Sequence, residues 1–381
     1  MNGWDMTDIQ GIPAEQGVEN TQATVGAQGT DHAMTWSAGL PSALDGRSVL
    51  TWQQLLDAGI SALTEAGVAD AELDAWYILA ETFHTDRVHF FLDRRRPIFG
   101  GKLLKGLPAY RELLLKRMAR VPLQQLLGVQ DFMGLTFYVD EHVLIPRQDT
   151  ETLVETVLKE QKETEISVLD MCTGSGCIGI SLAVHGGYRC VTAVDKSLEA
   201  LKIAKKNGKR LFLLRAGSVK AESTQVSKEP WYLRLTTYIT SSDSKDIGRI
   251  SSDAKKQSLL FLESDMFAGL EQSNKYDVIV SNPPYIPSAV IEKLDPEVRD
   301  YEPRMALDGA EDGLYFYRIL ARDSKKYLNE GGSVYYEIGY DQAKAVTALL
   351  VDNGYADIRV LKDEPGNDRI VTGVWCKKQE V

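Results

Sequence analysis

Four consecutive residues, Asn282, Pro283, Pro284 and Tyr285, could do chemistry together. They come after Tyr276 to Val280, a short apolar, β-branched run that predicts a buried strand. Two prolines stop that strand and stiffen the backbone beyond it. The residue before a proline is held extended, and Pro283 has no N–H but keeps its carbonyl. The corner thus offers two acceptors, the Asn282 side-chain oxygen and the Pro283 carbonyl, with the Tyr285 ring beside them. Such a set can grip a planar –NH2 group, one acceptor per N–H, and aim its weakly nucleophilic lone pair at an electrophile. Holding the reacting atoms roughly 3–3.5 Å apart can lower a barrier substantially without a strong base. The bland alternative is a proline-terminated strand end with a structural asparagine.

A second group precedes it. Val168 to Asp170 predicts a strand, and Cys172, Thr173, Gly174, Ser175, Gly176 and Gly179 form a glycine-rich turn opening a helix. Asp195 closes the next strand 21 residues after Gly174. Spacing alone fits a dinucleotide fold, and a nicotinamide- or flavin-linked enzyme is the rival reading. Charge separates the two. A pyrophosphate would sit badly beside Asp170, whereas the sulfonium and ammonium of S-adenosylmethionine would be welcome there. Asp195 serves ribose hydroxyls in either case, and Asp265 and Met266, after the next strand, suit an adenine. The singular alternatives are a helix cap for Asp265 and core packing for Met266. Loop, ribose acid, adenine acid and acceptor corner each end a successive strand, where open α/β sheets bind ligands. The combination favours methyl transfer to an –NH2 nitrogen.

The elements that must position these groups read as an α/β chain: a Rossmann-like, doubly wound sheet with a small helical domain before it, joined by a β-hairpin linker. Residues 1–46 read as a disordered, mildly acidic tail. Residues 47–121 carry apolar positions at helical spacing, with Gly67 as a stop and a further helix starting near Pro108. Arg94 to Arg96 and later Lys and Arg residues make that domain's second half basic, either a solvated face or a docking surface. Residues 122–148 read as the hairpin linker, and Asp149 or Thr150 as the N-cap of the next helix. Strands are expected at 166–171, 190–194, 259–263, 276–280, 332–338 and 368–375 of a catalytic domain spanning 149–381. About 209–257 the alternation fails, which predicts an irregular insertion.

Composition bounds the rest. A net charge of −11 and a pI near 5.1 argue against general nucleic-acid binding. The four cysteines show no C-x-x-C pair and no metal spacing, so no metal is expected. No run approaches the roughly 18 apolar residues of a membrane span, and no signal or transit pattern opens the chain. A cytoplasmic protein is expected.

These residues resemble the release-factor glutamine methyltransferase family. Residues 145–151 (Ile-Pro-Arg-Gln-Asp-Thr-Glu) look like its linker signature. Residues 301–314, Tyr336 to Gly339 and Gly366 to Arg369 are similar to its later segments. The resemblance implies methyl transfer from S-adenosylmethionine to the side-chain amide of the glutamine in the Gly-Gly-Gln loop of peptide chain release factors. It implies cofactor contacts at Cys172, Thr173, Gly174, Ser175, Gly176, Asp195, Asp265, Met266 and Asn282. Asn282, Pro283, Pro284, Tyr285 and Phe132 would meet the glutamine, and the helical domain would grip the release factor's body. Three departures stand out: Cys172 replaces a frequent glycine, which a left-handed backbone would penalise; Met266 replaces a frequent aromatic; and the insertion is atypical. A methyltransferase acting on a ribosomal-protein glutamine or a nucleobase, and a catalytically silent cofactor-binding module, remain the alternatives.

Overall fold

The structure, a computed structural model, describes residues 50–98, 101–215, 237–240 and 257–376. The expected N-terminal tail and most of the expected insertion lie outside them.

Helices α1 (Trp52–Glu65), α2 (Ala71–Phe83), α3 (Arg87–Asp93) and α4 (Gly101–Met118) come first. Thr51 starts α1 with a reciprocal cap: its Oγ1 accepts from the Gln54 N–H, and the Gln54 side chain accepts from the Thr51 N–H. Leu55, Leu63, Ile78, Tyr110 and Leu114 interleave between α1, α2 and α4. Gly59 is required there, because a Cβ would lie 2.3 Å from the Tyr110 hydroxyl, which itself donates to the Leu55 carbonyl. Helix α4 begins at Gly101, well before Pro108, which lies in its interior. A missing N–H removes one helical bond, and burial of Leu107, Tyr110 and Leu114 on the same face offsets that loss.

Helix α5 (Leu123–Leu127) leads into the hairpin β1 (Val129–Phe132) and β2 (Leu135–Tyr138). Its turn residues Met133 and Gly134 both have positive φ, 52° and 70°, as a two-residue type I′ turn requires. Helix α6 (Gln148–Glu160) is capped by Arg147, not by Asp149 or Thr150. Those two side chains are engaged at the site instead.

The large sheet contains β3 (Ser167–Met171), β4 (Cys190–Asp195), β5 (Thr237–Thr240), β6 (Ser258–Glu263), β7 (Tyr276–Ser281), β8 (Leu328–Glu337), β9 (Tyr355–Lys362) and β10 (Asp368–Trp375). Their order is β5-β6-β4-β3-β7-β8-β10-β9, with β6, β4, β3, β7 and β8 mutually parallel. Val168, Leu169, Val191, Val194, Val278 and Ile279 are fully buried, as central strands covered on both faces must be. Each such side chain contributes about 1.5–3 kcal/mol of burial. Helices α7 (Cys177–Ser181), α8 (Leu198–Arg215), α9 (Ser288–Ile291), α10 (Pro296–Tyr301), α11 (Arg304–Leu307), α12 (Tyr315–Asp323) and α13 (Ala343–Asp352) complete the described chain.

Two departures from expectation have simple causes. Strand β9 escapes the sequence reading because it is an edge strand whose residues are mostly exposed, with Asp357, Arg359 and Lys362 interrupting its apolar positions. Helix α8 continues to Arg215, and β5 pairs antiparallel with β6, so regular structure enters the stretch expected to be irregular. Among the described residues no helix is long and apolar enough to cross a membrane.

Candidate active site

The chain builds outward from β3 through β4 to β6, then returns to place β7 on the other side of β3. A cleft opens at such a reversal, beyond the carboxyl ends of the strands. Register brings the four predicted groups to that edge: Met171 lies beside Val194 and Ser281, and Asp195 beside Glu263.

The turn after β3 is wound by three left-handed residues, Cys172 (φ 63°), Gly174 (56°) and Gly176 (83°). The non-glycine Cys172 therefore does occupy a left-handed position, the condition under which its replacement of glycine carries a cost. Asp170 does not face the cleft, contrary to the charge argument drawn from sequence. It is fully buried and turned into the loop, accepting from the Thr173 hydroxyl at 2.5 Å and the Gly179 N–H at 2.9 Å. Burial pushes its carboxyl up to about 7, against the pull of those two donors. Thr173 and Ser175 are buried as well, and Asn207 Nδ2 donates to the Ser175 carbonyl. Thr173, Ser175 and Gly176 thus shape the loop without lining the cavity.

The cavity is lined by Met171, Cys172, Gly174, Asp195, Asp265, Met266, Asn282 and Pro284. Asp195 accepts the Gly174 N–H on one oxygen and the Ser197 N–H on the other, each at 2.8 Å. Burial raises its pKa and these N–H groups lower it. Each oxygen keeps a lone pair for a further donor, which is what a pair of ribose hydroxyls needs. Asp265 is exposed and paired with Lys196 at 2.7 Å. Cys172 Sγ and Met266 Sδ meet at 3.8 Å on the cavity wall. Walls that sequence reasoning missed come from Val143 and Leu144 before α6, from Met305 and Ala306 on α11 and from Phe316 on α12. Acids at one end and apolar, sulfur-bearing walls fit a nucleoside carrying a cationic amino-acid tail.

Asn282 stands where β7 ends, half-buried, with Pro283 and Pro284 buried behind it. Its Nδ2 donates to Thr150 Oγ1 at 3.2 Å. Among the described residues no donor reaches the Asn282 Oδ1 or the Pro283 carbonyl. Tyr285 leans on the core cluster around Met171 and Tyr336, and burial pushes its hydroxyl up to about 12. Gln342 Nε2 donates to the Tyr285 carbonyl at 2.9 Å, and a Cβ at Gly313 would lie 2.3 Å from that same carbonyl. The Gly309 to Gly313 turn therefore packs directly on the back of the corner. Phe132 does not line this cavity. It is buried edge-on against Phe137, centroids 6.1 Å apart, and forms part of a separate polar cleft with Arg147, Gln148 and Glu151.

The linker residues before and within α6 tie the corner to three other segments. Arg147 pairs with the buried Glu302 at 2.5 Å, Asp149 with Arg369 at 3.0 Å, Thr150 with Asn282, and Glu151 accepts the Met133 N–H at 2.5 Å. Arg369 also holds Asp363. From the helical layer, Arg117 bonds both Asp74 (2.6 Å) and Glu297 (3.0 Å), and Arg120 also pairs with Glu297. Two of the basic residues considered for docking are thus turned inward and structural.

Family models match successive parts of the chain. One described as the PrmC N-terminal domain matches residues 54–128, one described as the methyltransferase small domain matches 147–229, and one described as Eco57I restriction-modification methylase matches 189–336. A release factor glutamine methyltransferase of Geobacter sulfurreducens is 35% identical over 85% of this chain and 97% of its own length. One of Fusobacterium nucleatum is 34% identical over 86% of this chain and 79% of its own. A solved structure of a release factor-specific protein-(glutamine-N5) methyltransferase from Alicyclobacillus acidocaldarius is 26% identical, covering 63% of this chain and 99% of that one, with a TM-score of 0.32.

Proposed function

Since the chain belongs to the release factor glutamine methyltransferase family, we propose that it methylates the side-chain amide nitrogen of the glutamine in the Gly-Gly-Gln motif of peptide chain release factors. The observation that carries this reading is the Asn282 corner opening onto the same cavity as Gly174, Asp195 and Met266. Bound S-adenosylmethionine would supply an electrophilic methyl group there. Asp195 would take the ribose hydroxyls, Asp265 the adenine amine, and Cys172 and Met266 would pack on the nucleoside.

The Asn282 Oδ1 and the Pro283 carbonyl would each accept one N–H of the substrate amide. Both hydrogens held in one plane leave the nitrogen lone pair directed across it, toward the cavity. Tyr285, neutral at working pH, would pack on the flat amide. An amide nitrogen that gains a methyl must shed a proton, and two well-placed acceptors stabilise the charge that develops before it leaves. Phe132, beneath the neighbouring cleft, would bound the approach of the glutamine side chain, and the α1–α4 layer would hold the body of the release factor.

The test is to incubate the protein with isotopically labelled S-adenosylmethionine and intact release factor, a ribosomal-protein mixture or RNA. One labelled methyl on the Gly-Gly-Gln peptide by mass spectrometry is expected. Label confined to RNA or ribosomal proteins would overturn the assignment.

A further inference from the structure

The register that pairs Ser281 with Tyr336 sets Asn282 beside Glu337, the last residue of β8. Glu337 is 1% exposed and Thr150 2% exposed, both against a group that must contact substrate. The Glu337 Oε2 has no hydrogen-bond partner among the described residues. Asn282 Nδ2 donates to Thr150 Oγ1, which leaves the Thr150 hydroxyl proton to be given onward. The Thr150 hydroxyl and the Asn282 amide both face the Glu337 carboxyl. A buried carboxyl with an unfilled oxygen calls for an account, and here its neighbours are the groups at the acceptor corner.

We propose that Thr150 and Glu337 are positioning residues, a buried chain from carboxylate through hydroxyl to Asn282 Nδ2 that decides which end of the Asn282 amide faces the substrate. The inference rests on the amide-methylation reading above. An ionised carboxylate can only accept, so Thr150 must donate to it and accept from Nδ2; the Asn282 Oδ1 is then left turned to the cavity as an acceptor. A protonated Glu337 can donate, which allows the chain to reverse and turns an Asn282 N–H toward the substrate –NH2, donor against donor. The titratable groups that face Glu337 are Asp149 on α6, Arg369 on β10, Tyr285 after β7, Tyr317 on α12 and Cys177 on α7, the last three held neutral by burial. Arg369 favours the ionised form and Asp149 opposes it. Burial is the largest influence and lifts the group to about 7, so the reversal falls within reach of ordinary assay conditions.

The test uses the full-length protein, intact release factor and the variants Thr150→Val, Thr150→Ser and Glu337→Gln. Leaving the Asn282 Nδ2 and the Glu337 carboxyl without their shared hydroxyl should lower the kcat of Thr150→Val by about tenfold, with Thr150→Ser restoring most of it and the Kd for S-adenosylmethionine staying close to wild type. Wild-type kcat should fall as pH drops through about 7, and Glu337→Gln should abolish that acid limb. A substrate-independent readout accompanies these: the Asn282 side-chain amide protons of labelled protein should exchange with water slowly in wild type and fast in Thr150→Val. Unchanged kcat and exchange in Thr150→Val, or an unchanged acid limb in Glu337→Gln, would overturn the positioning chain. Wild-type protein that exchanges slowly yet methylates no release factor would instead overturn the substrate, leaving the chain standing.

Discussion

Asp170 is the last residue but one of β3, before the glycine-rich turn, and Glu337 ends β8 beside the acceptor corner; both carboxyls are buried, lifted to about 7, and left with one unpartnered oxygen. Their partners differ. Asp170 bonds Thr173 and Gly179, three and nine residues away, so it organises a loop that the local sequence already describes. Glu337 faces Thr150 and Asn282, which come from a helix and a strand end far away in the chain. The cofactor side is assembled locally and the corner side by long-range contacts. Disturbing the first should chiefly alter binding and stability, and disturbing the second should chiefly alter turnover.

The largest expected effect is at the corner itself. Asn282→Ala removes one of two acceptors for the reacting amide, and loss of one such group typically costs about 10²–10³-fold in kcat. Steady-state assays on intact release factor should show that drop, while calorimetry should show only a modest change in cofactor affinity. A drop in affinity matching the drop in kcat would erase the distinction between the two sides.

On the cofactor side, Asp195→Asn should act in the opposite sense. An asparagine must turn its –NH2 toward either the Gly174 or the Ser197 N–H and loses the charge-assisted bonds to ribose. Hydrogen bonds to charged groups contribute about 1.5–3 kcal/mol, so the cofactor Kd should rise about 10–100-fold. With cofactor saturating, kcat should stay close to wild type. Losing kcat at saturation would show that Asp195 also orients the reacting atoms.

The same contrast explains how much of the site is legible in the sequence. The turn, Asp195, Asp265 and the proline corner each lie within a few residues of a strand end, so apolar runs and punctuation are enough to find them. Thr150 reads as a helix cap because capping is a local habit of threonine; nothing nearby in sequence reveals that its hydroxyl is engaged by a residue 132 positions on. Glu337 falls within the Tyr336 to Gly339 segment that resembles the family, but nothing there shows that its carboxyl turns toward Thr150 and Asn282. The Asp170 side chain lies on the opposite side from that expected of it by charge, since a sequence marks a strand end but not where a turn folds back over it. Phe316, Met305 and Ala306 reach the cavity only through the packing of α11 and α12, which local patterns do not specify.

A pH series separates the two buried carboxyls. Asp170 has a folded pKa of about 7 against an ordinary 3.8. The raised value means the neutral acid fits the fold better than the ion. Its stabilising share is therefore complete below about pH 4 and is lost as pH climbs through about 7. Asp170→Asn keeps an acceptor for the Gly179 N–H without an ionisable proton, so denaturant midpoints measured from pH 5 to 8 should fall less steeply than in wild type. The remaining slope should include the share of Glu337, raised in the same direction from 4.5. An unchanged slope would mean that Asp170 ionises without cost, and that the loop is looser than its bonds to Thr173 and Gly179 imply.

The smallest expected effect tests whether the glycine-rich turn is strained. Cys172 holds φ at 63°, where an L-residue with a Cβ is disfavoured by about 1–2 kcal/mol. Cys172→Gly relieves that strain but adds backbone freedom to the unfolded chain, worth about 0.5–1 kcal/mol in the other direction. It also forfeits the contact between Sγ and the Met266 sulfur. The terms leave a net gain of roughly 0.5 kcal/mol, or about 1–2 °C in Tm for a protein of this size. Desolvation pushes the pKa of the half-buried thiol far up, so no charge is lost in the exchange. A destabilised glycine variant would mean that the paired sulfurs of Cys172 and Met266 contribute more to the cavity wall than the left-handed backbone costs.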